Sequence, residues 1–381
     1  MKRPACYAPW SHLNVDAGGE MRPCCICRLK IKAKTLEEGW NSPEMKAFRV
    51  RMLNGEMPPE YCDHCIDPRR TWIYAKSFDY DVAKGDAAEQ VLLKTKPDGE
   101  TLFVPVSIDL RTHLCNLKCR TCSGFASSAM RSERKKHDIP IQIYRETELS
   151  DLHLSDLTVA NQTFVESAKK FYWAGGEPFM SPLHWEVLDY LIKTNNTKAF
   201  MFYSTNATFP GKTLERAIEA LSHFPKVELA FSLDGDGEYS DYVRSGSSID
   251  EIWENIRILK ARLPHAKFSV DTTITNCGIL SLEGLIQKCV EHDLLWTGHL
   301  LNRWDYNCYL GEKMLRKEVF DSHLDAALKI ATHPESIKSL NFIKSSYSHL
   351  PVTEADYVES ERYEKIRGME GFFKEKIVPF T

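Results

Sequence analysis

The chain has 381 residues, of which 43% are hydrophobic and 27% are charged, and its formal net charge is −4. This length predicts about two or three domains of ordinary globular composition, and so small a net charge excludes a general attraction to nucleic acid or to anionic membranes. No apolar run approaches the roughly 20 residues of a membrane span, and the first residues lack the apolar core of a secretory signal. We therefore expect a cytoplasmic protein.

The N-terminal segment carries a cysteine set of its own. Alternating residues after Cys6, a turn at Gly18-Gly19 and a returning segment that ends in Cys24-Cys25-Ile26-Cys27 predict a β-hairpin. Helical periodicity over residues 36–53 comes next, followed by Cys62-Asp63-His64-Cys65. Because disulfides are rare in a reducing compartment, the hairpin thiols and the later pair could converge on one metal.

Residues 81–102 are polar and rich in turn formers, and we interpret them as a linker. From residue 103 onward, strand-like runs alternate with amphipathic helical patterns, which predicts an α/β fold with a parallel sheet. The predicted strands are 104–110, 170–174, 199–204, 227–233, 268–274 and 295–301, and the clearest helical stretches between them are 182–192, 214–221, 250–263 and 282–292. A largely helical extension is expected over 303–381.

Three thiols lie within eight residues directly after the first of these strands, at Cys115, Cys119 and Cys122. Iron–sulfur clusters are held by cysteine thiolates, and a cubane with three protein thiolates keeps one iron open for another ligand. A structural zinc site instead wants four protein ligands. The spacing therefore favours an iron–sulfur cluster with one open position.

This Cys-x3-Cys-x2-Cys loop resembles the cluster loop of the radical S-adenosylmethionine (SAM) enzymes, and Gly175-Gly176-Glu177-Pro178, again at a strand end, resembles their Gly-Gly-Glu-Pro motif. The resemblance implies a partial (β/α)6 TIM-like barrel and a [4Fe–4S] cluster that reductively cleaves SAM. The resulting 5′-deoxyadenosyl radical would abstract hydrogen from a substrate, with flavodoxin or ferredoxin as the electron donor. Thr121 stands where the family commonly has an aromatic residue, so that wall of the adenine pocket must be built differently.

The resemblance also implies where SAM binds. Glycines permit close backbone approach, and the Glu177 carboxylate can accept charge-assisted hydrogen bonds from the SAM ammonium. The third predicted strand ends in a segment similar to the family's Thr-Asn-Gly, the fourth in one similar to Ser-x-Asp-Gly, and Arg244 could pair with the SAM carboxylate. The implied SAM-binding residues are Gly175, Gly176, Glu177, Pro178, Ser204, Asn206, Ser232, Asp234, Arg244 and Asn276. Asp234 could equally face the substrate, as could His299 and Arg303 at the end of the last strand.

The N-terminal cysteines resemble the twitch module, a half-size relative of the SPASM domain that holds an auxiliary [4Fe–4S] cluster. This resemblance implies a second cluster on Cys6, Cys24, Cys62 and Cys65, with Cys25 or Cys27 as alternatives for the second ligand. Such a module usually follows the radical SAM domain, whereas here it precedes it. The expected organisation is an auxiliary module (1–80), a linker (81–102), a radical SAM barrel (103–302) and a helical extension (303–381).

Together these resemblances imply a two-cluster radical SAM enzyme in which the auxiliary cluster takes or relays an electron. Two substrate classes stay open: a peptide, as in the crosslinking or epimerisation of a ribosomal peptide, and a small molecule such as a sugar. The alternative function is that of a zinc-stabilised, non-catalytic binding protein on a degenerate barrel.

Overall fold

Eight strands form one sheet in the computed structural model, which describes residues 4–66, 93–122, 124–139, 161–301, 315–346 and 354–380. They are β1 (His12–Val15), β2 (Met21–Arg22), β3 (Ser107–Thr112), β4 (Lys170–Gly175), β5 (Phe200–Thr205), β6 (Val227–Ser232), β7 (Lys267–Ile274) and β8 (Leu295–Leu300). Their order in the sheet is β2-β1-β3-β4-β5-β6-β7-β8. The β1–β3, β3–β4, β4–β5, β6–β7 and β7–β8 pairs are parallel, and β2 runs antiparallel to β1.

The predicted α/β fold class is confirmed, and each of the six predicted parallel strands corresponds to one of β3–β8. The largest difference in boundaries is at β3, which begins at Ser107 rather than at residue 104 and extends to Thr112. Pro105 lies in the run that was expected to start the strand. Because proline has no N–H to donate to a sheet ladder, it delays the start of regular pairing.

The strand pattern does not predict that the N-terminal hairpin joins this sheet. Strand β1 pairs in parallel with β3, with His12 opposite Ser107 and Asn14 opposite Asp109. Asn14 Nδ2 donates to Asp109 Oδ2 over 2.8 Å, and His12 Nδ1 lies 3.1 Å from Ser107 Oγ. This pairing has no local sequence signature because it joins segments 95 residues apart.

Helices follow most of the strands. The helices of the described residues are α1 (Ala8–Ser11), α2 (Leu36–Trp40), α3 (Pro43–Leu53), α4 (Pro59–Ile66), α5 (Ser128–Lys136), α6 (Gln162–Ser167), α7 (Pro182–Lys193), α8 (Thr213–Ser222), α9 (Gly237–Val243), α10 (Ile249–Arg262), α11 (Asn276–Ile279), α12 (Leu282–Glu291), α13 (Lys317–Ile330), α14 (Pro334–Ser345) and α15 (Glu354–Arg367). Among these described segments, none is both long and apolar enough to span a membrane.

The helix boundaries have ordinary local causes. Helix α10 begins after Ser248, whose side chain accepts a hydrogen bond from the Glu251 N–H, and it carries acidic residues in its first turn and basic residues in its last. Helix α3 begins with Pro43 in its first turn, after the capping residue Ser42. Both starts satisfy N–H groups that have no partner within the helix.

Residues 94–103 fold onto the helices of the N-terminal segment. The Asn41 side chain bonds both the N–H and the C=O of Thr101, and the Trp40 indole donates to the Phe103 carbonyl. Gly99 has φ +89°, and a Cβ there would lie 2.1 Å from the Lys46 carbonyl oxygen. Glycine is therefore required at this turn.

The described residues divide into two compact units. The first is drawn from residues 1–113, 146–203 and 220–227, and the second from residues 114–145, 204–219 and 228–381. The core of the first includes Trp10, Trp40, Phe171, Trp173 and Tyr203, and the core of the second includes Phe231, Tyr242, Val270, Ile274 and Trp296. Burial of such large side chains supplies most of the driving force for each unit.

Candidate functional site

The Cys115–Cys122 loop belongs to the second unit and follows β3 along the chain. Cys115 and Cys119 are buried, Leu117 between them is fully buried, and Cys122 is half-buried against the same cluster. This burial keeps two of the three thiols away from bulk water. The loop thus has the thiol donors that an iron–sulfur cluster requires.

Neighbouring backbone holds the loop in place. Lys118 N donates to the Ser245 carbonyl over 2.9 Å, and Arg120 N donates to the Val243 carbonyl over 2.7 Å. On the other side, Ser127 Oγ donates to the Leu117 carbonyl over 2.7 Å while capping the start of α5. The loop backbone is therefore held by two segments that follow it in the chain.

Positive charge lies beside Cys119. Burial raises the pKa of the Cys119 thiol, and the guanidinium groups of Arg244 and Arg367 act in the opposite direction. Burial also opposes the charge of Arg244, but Cys119 and Asp234 outweigh it and raise the pKa of this guanidinium above its ordinary value. Such cations favour the thiolate form that binds metal.

Two predicted residues at strand ends contact this region directly. Asn206 Nδ2 lies 3.8 Å from Cys115 Sγ and donates to Asn116 Oδ1 over 3.1 Å. Asp234 is buried and accepts hydrogen bonds from Arg244 NH1 and from the Thr273 N–H, each over 2.9 Å. The structure thus brings Asn206 to the thiol loop and pairs Asp234 with Arg244.

The loop after β6 and the start of α11 approach each other closely. A Cβ on Gly278 would lie 1.9 Å from the Asp234 carbonyl oxygen, so this contact excludes a side chain. Asn276 is fully buried at the first position of α11, whereas Ser204 and Ser232 are half-buried at the ends of β5 and β6. All of these residues lie in the second unit.

The Gly-Gly-Glu-Pro segment lies in the first unit, at the end of β4. Gly175 has φ +102°, and a Cβ there would lie 2.4 Å from the Thr112 carbonyl oxygen, which also accepts a 2.6 Å hydrogen bond from Gly176 N. The Glu177 side chain is fully buried and accepts from Phe179 N over 3.2 Å, and Pro178 begins a 3-10 turn. The two glycines therefore let this turn pack against the last residue of β3.

An aromatic cluster supports this turn from the core of the first unit. The His184 ring lies within 5.4 Å, centroid to centroid, of the rings of Trp173, Phe179, Trp185 and Tyr203. Trp185 Nε1 donates to the Phe179 carbonyl over 3.1 Å. This packing fixes the backbone directly after Glu177.

Several pairs of cysteines in the N-terminal segment interact electrostatically in the first unit. Burial raises the pKa of Cys24, and its neighbours Cys25 and Cys6 raise it further. Cys62, at a kink in α4, shares a hydrogen bond with Cys27, and this bond lowers the pKa of Cys62. Cys65 lies beside Cys62 and within electrostatic range of Cys25.

These are pairwise interactions. The ligand set Cys6, Cys24, Cys62 and Cys65 therefore stays a prediction, as do Cys25 and Cys27 as alternatives for the second ligand. Within the part of the chain that the structure describes, no group of three or more His, Cys, Asp or Glu side chains is positioned to hold a metal ion.

Two polar clusters on the sheet were not predicted in full. Asp109 and Arg111 form a two-bond ion pair on one face of β3, with Arg111 near Cys25 and over the Tyr172 ring. Two charges at alternate positions of a buried strand share a face, and this period-2 signal could have identified the pair from the sequence.

The second cluster surrounds His299. Its Nδ1 lies 3.6 Å from Asp271 Oδ1, and its Nε2 lies 3.0 Å from Thr273 Oγ1. Desolvation lowers the pKa of His299, but the carboxylates of Asp271 and Asp234 together outweigh it and raise the pKa overall. The predicted neighbour Arg303 lies outside the described residues.

Comparison with known proteins adds two domain matches. The radical SAM superfamily model matches residues 110–279, and the model of the iron–sulfur cluster-binding domain SPASM matches residues 6–66. No curated protein matches the chain significantly.

Several solved structures are similar at low sequence identity. Native anSMEcpe with bound AdoMet and Cp18Cys peptide is 17% identical (TM-score 0.39, 58% of each chain covered). Streptococcus suis SuiB is 15% identical when bound to S-adenosylmethionine (TM-score 0.38, 61% of this chain and 54% of that one) and 12% identical when bound to its precursor peptide SuiA (TM-score 0.43, 83% and 68%). The chain thus spans little more than half of the first two of these structures.

Proposed function

Because the chain is a member of the radical SAM superfamily with a SPASM-type iron–sulfur domain ahead of the superfamily domain, we propose that it is an enzyme that cleaves SAM reductively. The observation that supports this proposal most strongly is the loop of three thiols, which lies within residues 110–279, the region that matches the superfamily model. A [4Fe–4S] cluster and SAM, when bound, supply a 5′-deoxyadenosyl radical that abstracts hydrogen from a substrate. Cys115, Cys119 and Cys122 would hold the cluster.

The residues around the loop fit such a group. Thiolates carry the negative charge that cluster binding needs, and Arg244 and Arg367 lie close enough to Cys119 to favour it. The loop is also anchored by its own backbone hydrogen bonds. These hydrogen bonds restrict the backbone conformations of the loop, which lowers the entropic cost of binding.

Arg244 has a donor to offer to SAM. Its NH1 group is occupied by Asp234, whereas its buried Nε has no hydrogen-bond acceptor among the described residues. A buried donor without an acceptor is costly. We propose that the SAM carboxylate satisfies it, with Asp234 holding the guanidinium in place.

Other predicted residues are also proposed for SAM. Gly175 and Gly176 permit close backbone approach at the end of β4, and the Glu177 carboxylate would accept hydrogen bonds from the SAM ammonium. Ser204, Asn206, Ser232 and Asn276 offer hydroxyl and amide groups at or after strand ends. Polar groups of these types suit the ribose and the amino-acid moiety of SAM.

The auxiliary cluster is proposed for Cys6, Cys24, Cys62 and Cys65, in a role of accepting or relaying an electron. Burial and neighbouring thiols raise the pKa of Cys24, so metal binding must displace its proton. The polar groups around Arg111 and His299 are candidates for substrate contact. Both a peptide and a small molecule stay open as the substrate, and flavodoxin or ferredoxin as the electron donor.

The test is anaerobic incubation of the reconstituted protein with SAM and dithionite, followed by quantification of 5′-deoxyadenosine. We expect formation by the native protein and by Cys289→Ala, which removes a buried thiol on α12, and none by a variant in which Cys115, Cys119 and Cys122 are replaced by alanine. A native protein that holds a full complement of iron and binds SAM, yet forms no nucleoside with or without candidate substrates, would contradict the proposal. Zinc in place of iron would favour the binding-protein alternative.

Substrate identity is tested by isotope transfer. Candidate peptides and sugars deuterated at carbon are incubated with the active protein, and deuterium is measured in 5′-deoxyadenosine. Transfer from one class identifies it as the source of the abstracted hydrogen.

A further inference from the structure

Helix α15 inserts one arginine behind the thiol loop. The Arg367 side chain is 3% exposed, and its NH2 and Nε groups bond the Glu133 carboxylate of α5 at 2.6 and 3.2 Å. Its NH1 donates to Ser245 Oγ over 3.1 Å. The guanidinium also lies 4.7 Å from the Tyr363 ring centroid, so every side of it is engaged.

The same carboxylate bonds a residue of the loop itself. Lys118 Nζ lies 2.8 Å from Glu133 Oε1, and the Glu133 side chain is 5% exposed. Lys118, Glu133 and Arg367 thus form a charge triad of two cations and one anion. Its net charge is positive, and it lies next to the segment that contains Cys115 and Cys119.

Arg367 also contacts Ser245, a residue that holds the backbone of the thiol loop. Ser245 offers its side chain to Arg367 and its carbonyl to Lys118 N. A movement of Arg367 would therefore alter both the field at the loop and the backbone that holds it.

A structural role alone does not explain this choice of residues. Burying the charges of Glu133 and Arg367 costs desolvation energy, and well-packed apolar side chains of similar volume often stabilise a core as well or better. Net positive charge beside a cluster does have an electrostatic effect: it favours the state that carries one more electron. Charge, hydrogen bonds and solvent exposure are the protein's means of setting a cluster's reduction potential.

We propose that helix α15 sets the reduction potential of the cluster bound by Cys115, Cys119 and Cys122, through the net positive charge of the triad. Arg367 is a positioning residue, since it acts on the cluster through its field and through Ser245. This inference rests on the proposed function, and it assigns a role to the C-terminal extension. The triad would make the electron transfer that precedes SAM cleavage easier.

The experiment is a redox titration of the reconstituted full chain, monitored by electron paramagnetic resonance. The loop cluster is identified as the signal that changes when SAM is added. We expect Arg367→Gln to shift its potential to more negative values and Glu133→Gln to shift it to more positive values, because the first removes a cation and the second an anion. Arg367→Lys keeps the charge and should restore most of the native potential.

The opposite signs separate the electrostatic role from a structural one, since damage to the loop would change both variants in the same direction. Lys365→Gln removes a cation from an exposed position of the same helix and should leave the potential unchanged. If Arg367→Gln does not retain iron, Glu133→Gln and Arg367→Lys still carry the test.

Two results would overturn the inference: shifts of the same sign in Arg367→Gln and Glu133→Gln, or an Arg367→Gln potential equal to that of Lys365→Gln. Failure of the proposed function looks different, because the native protein would then show no cluster signal that responds to SAM. A SAM-responsive signal with unshifted potentials contradicts the triad alone.

Discussion

The two cysteine-rich regions differ in what surrounds their thiols. In the loop of three cysteines, Lys118 N and Arg120 N donate hydrogen bonds to carbonyls distant in the chain, and two arginines favour the Cys119 thiolate. In the N-terminal segment, the cysteines interact in pairs, and burial and neighbouring thiols raise the pKa of Cys24. Arg111 opposes the effect of burial, which raises the pKa of Cys25 to about 11.

This difference separates two ways of building a cluster site. The loop has the minimum number of ligands and a charged support that compensates their negative charge. The N-terminal segment has more thiols than a four-ligand site needs, and burial raises the pKa of several of them. We therefore expect a loop site that tolerates no ligand loss, and an auxiliary site in which substitutions at different cysteines have unequal effects.

The largest expected effect comes from removing one ligand in each region. Cys119→Ala should abolish 5′-deoxyadenosine formation and lower the bound iron by the share of one cluster. Cys62→Ala should lower the iron similarly but leave substrate-free SAM cleavage intact, because the role proposed for the auxiliary cluster is to accept or relay an electron and not to cleave SAM. Iron analysis and nucleoside quantification measure both. Equal loss of cleavage in the two variants would contradict the division of roles.

Single substitutions in the N-terminal segment sharpen the ligand assignment. We expect Cys24→Ala to lose the auxiliary cluster, and Cys25→Ala and Cys27→Ala to retain it, as the twitch resemblance implies. Iron content and the visible absorption of the three variants decide the matter. Retention by Cys24→Ala with loss by Cys27→Ala would make Cys27 the ligand, in keeping with its hydrogen bond to Cys62.

One glycine in the candidate SAM site and one in the turn that packs against the N-terminal segment are both too close to a carbonyl oxygen to tolerate a side chain. Gly175→Ala and Gly99→Ala would place Cβ atoms 2.4 and 2.1 Å from carbonyl oxygens at positive φ, and each should destabilise its region by about 2 to 6 kcal/mol. Gly175→Ala should also weaken SAM binding, whereas Gly99→Ala should instead impair the N-terminal segment.

Gly55→Ala is the matched control, because its φ is +79° but nothing lies within 4 Å of the added Cβ. It should cost roughly 1 to 2 kcal/mol from backbone strain alone. Thermal unfolding and SAM-binding assays of the three variants measure these effects. A Gly99→Ala variant that loses SAM affinity as strongly as Gly175→Ala would contradict the expectation.

The sequence predicted the parts of the fold that have local signatures. Strands β3–β8 follow from alternation between apolar runs and amphipathic helices, and the hairpin follows from its Gly18-Gly19 turn. The pairing of β1 with β3 could not be predicted in this way, because Asn14 and Asp109 are far apart in the sequence and come into contact only in the folded protein. Charge pairs such as Arg367 with Glu133, 234 residues apart, are equally invisible to periodicity.

The candidate site divides along the same line. The thiol spacing and the Gly-Gly-Glu-Pro segment are short motifs, and they were found from the sequence because their chemistry is local. The pairing of Arg244 with Asp234 and the approach of Asn206 to Cys115 are visible only in the three-dimensional structure. Residues that contact each other from different strands have no fixed separation in the sequence. The sequence could therefore identify them as candidates, but it could not predict which of them form pairs.

The smallest expected effect concerns the acid response of the two regions. Burial raises the pKa of Glu133, but hydrogen bonds from Arg367 and Lys118 outweigh it and lower the pKa overall. A carboxyl group with a depressed folded-state pKa stabilises the protein above its unfolded-state pKa, and this contribution is lost as the pH falls through the folded-state value. Glu133→Gln should therefore cost about 1 to 3 kcal/mol at neutral pH and progressively less in acid.

The counterpart in the N-terminal segment is Glu56. A hydrogen bond from Arg51 also lowers the pKa of Glu56, but this ion pair lies on the protein surface. Since exposed ion pairs contribute little, Glu56→Gln should leave the melting temperature nearly unchanged at every pH. Melting temperatures of equally iron-loaded native and variant proteins, measured from neutral pH into the acid range, test both statements. If the difference between native protein and Glu133→Gln stayed constant as the pH fell, the ionised Glu133 carboxylate would not be what stabilises the loop support.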